Sequence, residues 1–305
     1  MNKIYENLLE EISDLHEIPQ GAFNIRADGE GLDRRCTENI EIKTKEDKPG
    51  IDIIVKENTK RESVHIPVVI SKAGVKDLVY NDFYIGDNSD IVIVAGCGIH
   101  NSGDEASQHD GIHRFFIGKN AKIKYVEKHY GEGSGTGEKI LNPVTEVYME
   151  KNSYMEMDSV QIQGVSSTVR ETKGELKDGA TLIVSEKIMT TDSQVAKTIF
   201  DVKLNGEDSS THVVSRSVAK DNSVQTFISK VDGNNRCAGH TECDSIIVGN
   251  GKVSALPEVF ANHPDASLVH EAAIGKIAGE QLMKLMTLGL TEKEAEEKII
   301  SGFIR

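Results

Sequence analysis

The sequence contains no tryptophan, and aromatic residues make up only 5% of its 305 residues. Its core must therefore be built from Val, Ile, Leu, Ala and Met. Proline is also scarce, with 6 residues against 27 glycines. Many short strands joined by Gly, Asn and Asp turns would produce this composition. With 38% hydrophobic and 28% charged residues, the chain has enough apolar surface for a packed core, which excludes wholesale disorder.

Other absences narrow the function. The four cysteines, at positions 36, 97, 237 and 243, are too few for a disulfide scaffold. No apolar run approaches the roughly 20 residues that a membrane-spanning helix needs, and the N-terminus lacks the apolar segment of an export signal. We therefore expect a cytoplasmic protein whose cysteines are thiols, ligands or nucleophiles. The net charge of −14 disfavours nucleic-acid binding, because an acidic protein repels phosphate backbones.

Hydrophobic periodicity divides the chain into three segments. Residues 1–50 begin with a helical pattern over 1–18 and continue as a polar, irregular stretch. Residues 51–264 change to the period of two that is typical of strands. Residues 265–305 return to a helical pattern. We therefore predict a long β core with a helix before it and helices after it.

The helical segments carry specific signals. The first helix is indicated by an apolar stripe of Ile4, Leu8, Ile12 and Leu15. At the other end of the chain, Gly289 would stop a helix that begins after residue 276. Thr291 and Glu294 have the form of a capping box, which predicts a second C-terminal helix through Ile300.

A weak repeat runs through the β segment. Each copy is a polar or glycine turn, a small residue and then alternating apolar positions. The copies are Gly86–Ile93, Gly118–Tyr125, Glu150–Met157, Lys177–Val184 and Lys220–Phe227. Their third positions are separated by 32, 32, 27 and 43 residues. Such spacing favours a β-solenoid whose coils turn at Asn or Gly, where positive φ is tolerated. A β-sandwich with ordinary turn chemistry is the alternative.

The densest set of metal-ligating residue types is Cys97, His100, His109 and His113. Thiolate and imidazole together suit zinc, iron or an iron–sulfur cluster. No standard zinc-finger spacing is matched. The alternative is a polar loop whose histidines lie in water or satisfy backbone groups.

Two further sets lie near the C-terminus. Cys237 and Cys243 are six residues apart, which allows a disulfide, shared ligation or two small buried residues beside a turn. A neighbouring carboxylate such as Asp244 raises rather than lowers a thiol pKa. His270 and Glu271 offer an imidazole and a carboxylate as ligands or proton relays. Alone, this pair is equally typical of a core-edge histidine.

In their order along the chain, these last segments resemble the SufB/SufD family of iron–sulfur cluster assembly scaffolds. Cys243–Gly249 is similar to the family's Cys-Asp-Ser-hydrophobic-hydrophobic-x-Gly segment. His270–Ile277 is similar to its His-Glu-Ala-x-x-Gly-x-Ile segment, and Gly279–Leu282 and Leu288–Ala295 continue the likeness. The resemblance is strong over about 235–305 and more diffuse over 51–234.

The resemblance implies a fold and a role. The family's core is a right-handed β-helix flanked by helices. Its members build iron–sulfur clusters with an ABC-type ATPase, SufC, from iron and donated sulfur. The family's functional cysteine and glutamate fall on Cys243 and Glu271, and His270 is the nearest match to its functional histidine. Residues of about 277–304 would dock a SufC-like ATPase.

The same resemblance implies the remaining partners. A cysteine desulfurase system would donate sulfur, apo iron–sulfur proteins would receive the transient cluster, and the ATPase activity would belong to the partner subunit. The chain lacks the long N-terminal region and Cys-x-x-Cys element of typical SufB proteins, and it resembles short, minimal SufB-like proteins. We therefore expect a homodimer rather than a SufB–SufD heterodimer.

Two other functional classes stay open at this stage. One is a β-solenoid metal-dependent enzyme that uses Cys97, His100, His109 and His113. The other is a passive SufD-like structural partner.

Overall fold

The computed structural model describes residues 3–13 and 19–304, and within them it contains three helices and twenty strands. The helices are α1 (Lys3–Ser13), α2 (Gly279–Met286) and α3 (Glu292–Phe303). The strands of the N-terminal half are β1 (Ala22–Ala27), β2 (Glu30–Arg35), β3 (Ile40–Thr44), β4 (Gly50–Val55), β5 (Lys60–Ile70), β6 (Lys76–Ile85), β7 (Asp90–His100), β8 (Ser107–Ile117), β9 (Lys122–Glu132) and β10 (Lys139–Leu141). Those of the C-terminal half are β11 (Val144–Met149), β12 (Tyr154–Gln163), β13 (Ser167–Leu176), β14 (Thr181–Thr190), β15 (Val195–Leu204), β16 (Ser209–Ala219), β17 (Val224–Gly233), β18 (Cys237–Ile247), β19 (Lys252–Ala261) and β20 (Ala266–Lys276).

The strands form two ten-stranded sheets that face each other. The first sheet has the order β2-β1-β5-β7-β9-β12-β14-β16-β18-β20. The second has the order β19-β17-β15-β13-β10-β8-β6-β4-β3, with β11 between β8 and β13. From β5 onwards the chain alternates between the sheets, and each strand pairs in parallel with the strand one coil away. This is a solenoid, so the predicted mainly β fold with an N-terminal helix and a C-terminal helical pair is confirmed.

One corner of the solenoid explains the sequence repeat. Asn58, Asn88, Asn120 and Asn152 all have positive φ at the turn into the first sheet. Their side chains form a ladder, with Asn120 Nδ2 3.1 Å from Asn88 Oδ1 and Asn152 Nδ2 3.4 Å from Asn120 Oδ1. Gly179 occupies the same corner with a φ of 64°.

The fifth copy of the repeat, Lys220–Phe227, lies at a different corner of the solenoid from the other four. Lys220–Phe227 leads into β17, which lies in the second sheet. The first sheet turns instead at Asp208, whose φ is 58°. Both corners use the same polar turn chemistry, so sequence alone did not separate them.

Strands also extend beyond the predicted β segment at both ends. The stretch 22–50, predicted to be irregular, contains β1, β2 and β3, and β4 begins at Gly50. Every residue of β2 is exposed, so its charged sequence carried no strand pattern. At the other end β20 reaches Lys276, and the helical region begins at Gly279 rather than near 265. The division into three domains stays a prediction, and Leu15 lies outside the described residues.

The helices cover the outer face of the first sheet. Leu8 and Ile12 of α1 pack where Gly96 and Gly98 of β7 leave room, because a Cβ at Gly98 would lie 3.0 Å from Leu8 Cδ2. Further along, Ile300 and Ile304 cover Val218. The predicted capping box is confirmed, since Thr291 Oγ1 accepts from the Glu294 amide and the Glu294 carboxylate accepts from the Thr291 amide. By contrast, α2 buries none of its residues.

Candidate functional site

The interior of the solenoid holds most of the predicted site residues. Side chains alternate between the inner and outer faces of each strand, and neighbouring parallel strands are in register. Inward residues therefore stack in rows along the solenoid. Because the interior is closed by a sheet on either side, the residues in these rows have fixed neighbours.

Cys243 and His270 lie on this inner face at the C-terminal end. Cys243 is 2% exposed in β18, between the inward-pointing Thr241 and Ser245. In β20, His270 is in register with Thr241, and its Nδ1 lies 2.6 Å from Thr241 Oγ1. The His270 Nε2 atom is buried and has no hydrogen-bond partner among the residues that the structure describes. The structure thus brings a thiol and an imidazole with one free nitrogen to the same end of the interior.

Burial raises the pKa of the Cys243 thiol to about 11, and the negative charges of Glu186 and Asp244 act in the same direction. The hydrogen bond with Ser245 Oγ, 4.0 Å from the sulfur, lowers this pKa, but by less than burial raises it. Cys243 is therefore a protonated thiol at neutral pH in the isolated chain. A cation that binds the sulfur must displace this proton.

Glu271 lies on the opposite face of the same edge strand. It is in register with Glu242, and its side chain is 64% exposed. Its Oε1 atom is 3.8 Å from His240 Nε2. Within one chain, Glu271 therefore does not face Cys243 and His270, because adjacent residues of a strand point to opposite faces. The assignment of these three residues to one cluster site stays a prediction.

Three of the four residues of the predicted metal set share one cavity. Cys97, His109 and His113 line a space of about 10 Å³ between the two sheets. His100 does not join them, because it points outward and its Nδ1 lies 2.9 Å from Glu132 Oε1. Burial, with Asp77 and Glu127 nearby, raises the pKa of the Cys97 thiol well above its ordinary value.

The two histidines of this cavity are held by their Nδ1 atoms. His109 Nδ1 lies 3.2 Å from Asp77 Oδ2, and Asp77 Oδ1 accepts from Arg26 at 2.9 Å. His113 Nδ1 lies 2.8 Å from the hydroxyl of Tyr125. Burial lowers the pKa of His113 to about 4, so its imidazole is neutral at neutral pH.

The sequence analysis missed an ionic cluster that lies in the interior between Cys97 and Cys243. The Arg170 guanidinium donates to Glu127 and Glu186, each at 3.1 Å, and to His129 Nδ1 at 2.6 Å. All four side chains are at least nine-tenths buried. Glu186 also accepts from Ser215, which is in register with Cys243. The sequence did carry a sign of this cluster, because Glu127, Arg170 and Glu186 occupy positions where the strand alternation places buried residues.

The electrostatics of this cluster depend on Arg170. Burial acts to raise the pKa of Glu127, but His129, Arg170 and His113, together with the hydrogen bond from Tyr125, outweigh it and lower that pKa to about 2. Burial lowers the pKa of His129 to about 3. His129 is therefore neutral at neutral pH, and Arg170 is the cation that keeps the carboxylate of Glu127 ionised.

The remaining cysteines form no disulfide within the described residues. Cys237 is buried at the start of β18, on the same inner face as Cys243, and Cys36 is exposed. Among the described residues, no three His, Cys, Asp or Glu side chains are already gathered at metal-ligand distance. No helix in residues 3–13 or 19–304 is long and apolar enough to cross a membrane.

Comparisons with known proteins agree on one family. The family model of the SufBD core domain, of the SUF system for iron–sulfur cluster assembly, matches residues 80–303. An iron–sulfur cluster assembly SufBD family protein of Methanocaldococcus jannaschii is 30% identical over 268 residues, which cover 87% of this chain and 84% of that protein. One from Archaeoglobus fulgidus is 29% identical over 245 residues, covering 79% and 65%. One from Pyrococcus horikoshii is 27% identical over 271 residues, covering 87% and 81%.

The match extends over most of the solenoid and both C-terminal helices, and it includes Cys243, His270 and Glu271. It therefore covers the part of the chain on which the sequence resemblance rested, together with the cavity at Cys97. The chain belongs to the SufBD family.

Proposed function

We propose that this chain is the scaffold subunit of a SUF-type complex that assembles iron–sulfur clusters and passes them to apo proteins. In this role it is not itself an enzyme, and a SufC-like ABC ATPase supplies the ATP hydrolysis. Sulfur comes from a cysteine desulfurase system. Family membership supports the assembly role, and the placing of Cys243 and His270 on the inner face of adjacent strands at the end of the solenoid supports a cluster site there.

The observation that carries this proposal is the open C-terminal end of the solenoid. In the last coil, β19 and β20 contain no buried residue. Val259 and Ile274 are in register with the buried, inward-facing Val231 and Ser245, yet they are 42% and 39% exposed. Interior positions are uncovered at this end, only one strand away from Cys243. A second chain that stacks here would cover them and enclose the thiol.

We propose that the second chain is another copy of this protein, which makes a homodimer, with a SufB–SufD-like heterodimer as the alternative. Two copies bring two Cys243 thiols and two His270 imidazoles to one interface. Thiolate is a strong ligand for iron and bridging sulfide. Because the Cys243 thiol is protonated in the free chain, iron has to displace its proton, which favours cluster formation over stray nucleophilic chemistry.

Glu271 has a different place in this proposal. It lies on the outer face of the edge strand, so within one chain it does not meet the sulfur of Cys243. Its exposed carboxylate is a weak and exchangeable oxygen ligand, which suits the binding of incoming iron at the rim of the interface. Glu271, which would collect iron, and Cys243, which would bind the cluster, then lie on opposite faces of the first sheet.

The C-terminal helices are the proposed docking surface for the ATPase. Met283, Met286 and Leu288 are 60%, 42% and 76% exposed. Beside them, α3 borders an apolar groove lined by residues that include Met189, Ile300 and Ile304. Movement of two docked ATPase subunits would pull on these helices, of which α3 packs against the first sheet at β16 and β18.

The test is to coexpress the chain anaerobically with a SufC-like ATPase and to measure iron and acid-labile sulfide per chain. We expect near-equal amounts of both in the wild type and background amounts in Cys243→Ser. Cys237→Ser is the matched control, because it changes another buried, inward-facing cysteine of the same strand. It should retain the cluster.

A colourless wild-type chain that still binds the ATPase would contradict the scaffold role and indicate a passive subunit. Retention of a full cluster by both Cys243→Ser and Glu271→Ala would contradict the site. Transfer is tested separately, by the appearance of the cluster on an added apo ferredoxin-type acceptor.

A further inference from the structure

The cavity at Cys97 has the size and lining of a site for a single ion. Its volume of about 10 Å³ is close to that of one water-sized sphere. Cys97 enters it from β7 of the first sheet, and His109 and His113 enter it from β8 of the second. One sulfur and two imidazole nitrogens are ligands that zinc, ferrous iron and cobalt share.

The two imidazoles point their free nitrogens at one spot. His109, Gly111 and His113 alternate along the inner face of β8, and Gly111 leaves the space between the two rings empty. A Cβ added at Gly111 would lie 3.2 Å from the Nε2 atoms of both histidines. The two Nε2 atoms therefore lie within twice that distance of each other. Neither makes a hydrogen bond within the described residues.

The hydrogen bonds at the other side of each ring fix the tautomers. The Asp77 carboxylate accepts from His109, so the proton of a neutral His109 lies on Nδ1. Tyr125 donates its only hydroxyl proton to Glu127 at 2.9 Å, so His113 must donate from Nδ1 to the Tyr125 oxygen. Both Nε2 atoms then carry a lone pair directed into the cavity. Carboxylates that orient histidines in this way are common around metal ligands.

We propose that Cys97, His109 and His113 form a binding site for one divalent transition-metal cation, such as Zn²⁺ or Fe²⁺, inside the solenoid. The site is distinct from the one at Cys243, since β7 and β18 are five strand spacings apart in the first sheet, about 24 Å. It goes beyond the proposed scaffold function and does not depend on it. His100, which faces outward, takes no part.

Binding requires a small closure. Within the described residues the three side chains are not yet at ligand distance from a common point. Since they face one another across a space that holds a single small sphere, rotation of Cys97 and a small shift of the rings would close it. The cation would also displace the Cys97 proton, because the ligand is the thiolate.

The wall of the solenoid has a weak point beside this cavity. The strand next to β8 is interrupted between β10 and β11, at Asn142 and Pro143. Pro143 has no amide proton to donate, and it borders the cavity together with Gly111. The interruption of this strand therefore borders the cavity directly.

The experiment titrates Co²⁺ into the full-length, metal-free chain carrying Cys243→Ser, which removes the other thiol site. We expect one cobalt per chain and a thiolate-to-cobalt charge-transfer band. Adding Cys97→Ser should remove the band and weaken binding at least tenfold. Adding Asp77→Asn should weaken binding by about 10–100-fold while the band remains, because it removes the negative charge that orients His109 and leaves the three ligands in place.

Two further variants keep the test decisive. Gly111→Ala retains all three ligands but places a methyl group against both Nε2 atoms, so it should also weaken binding. His100→Ala is the control and should change neither the stoichiometry nor the spectrum. Each variant is checked for folding by circular dichroism. The proposal is overturned if the parent binds no cobalt, if the band survives Cys97→Ser, or if Gly111→Ala binds cobalt as the parent does. Each of these results would leave a water molecule as the occupant of the cavity.

Discussion

Two cysteines of the first sheet point into the same interior but have different surroundings. Cys97 lies in β7, with parallel strands on both sides, two histidines opposite and the ionic cluster of Arg170 next to it. Cys243 lies in β18, one strand from the edge, among the hydroxyl groups of Thr241, Ser245 and Ser215, and His270 lies in the adjacent edge strand. The first is enclosed by its own chain, whereas the second is placed where another chain can reach it. In a solenoid, the distance from an open end thus decides whether an inner residue is enclosed by its own chain alone or lies within reach of a second one.

The strongest way to test this contrast is to remove the charge that stabilises the enclosed region. Arg170→Met leaves Glu127 and Glu186 buried without their cation. Removal of one partner from a buried ion pair costs about 3–5 kcal/mol of unfolding free energy. We expect a loss of this size in urea unfolding of the chain.

The control for Arg170→Met is Lys203→Ala, which breaks an ion pair of similar length. Lys203 Nζ lies 3.1 Å from Glu175 Oε1, but both side chains are exposed. An exposed pair contributes less than about 1 kcal/mol. Equal effects of the two substitutions would show that water reaches the charged groups of the interior. The surroundings of Cys97 would then not differ from those of Cys243 in the way described above.

A second test uses acid. Burial lowers the pKa of His129 to about 3, while its unfolded value is near 6.5. The unfolded chain therefore binds a proton that the folded chain does not, and stability falls as the pH drops below about 6.5. Between pH 7 and pH 5 this single group accounts for about 2 kcal/mol. Urea unfolding of the chelator-treated chain at the two pH values measures the change.

The matched variant for the acid test is His129→Gln, because a glutamine oxygen can still accept from Arg170. The groups that face His129 are Glu127, Arg170, His109 and His113, and all of them remain. The variant should lose about 2 kcal/mol less on acidification than the wild type. An identical pH dependence in both proteins would show that His129 is already protonated in the folded state.

The fold was largely predictable because each coil of a solenoid has its own local sequence pattern, a turn residue followed by alternating apolar positions. Residues such as Asn88 and Asn120 are favoured where the chain needs positive φ, and their spacing of 32 equals the length of one coil. The failures had a local cause as well. Strand β2 is exposed along its whole length, so no alternation marked it, and β20 lies at the open end, where the burial pattern fades.

The site was predictable only in part, because pairing between coils is not visible in the sequence. The sequence analysis grouped His109 and His113 as candidate ligands, and the structure shows that they lie four residues apart on the inner face of β8. The adjacency of His270 and Glu271 suggested a shared site, yet in a strand adjacency means opposite faces. Arg170 was missed because its partners Glu127 and Glu186 are 43 and 16 residues away.

The smallest effect on stability should come from a substitution at the open end of the solenoid. There, the comparison of the two cysteines predicts an effect on the association of two chains. Val259 points inward in the last coil but is 42% exposed, so Val259→Asp should change the unfolding free energy of the monomer by less than about 0.5 kcal/mol. If a second copy covers this end, the same change buries a carboxylate at the interface, and sedimentation velocity should show loss of the dimer. Val195→Asp, at a position 47% exposed in β15 and away from this end, is the control and should leave the dimer intact. A dimer that survives Val259→Asp would mean that the copies meet elsewhere, and Cys243 would then have to hold its cluster with ligands from a single chain.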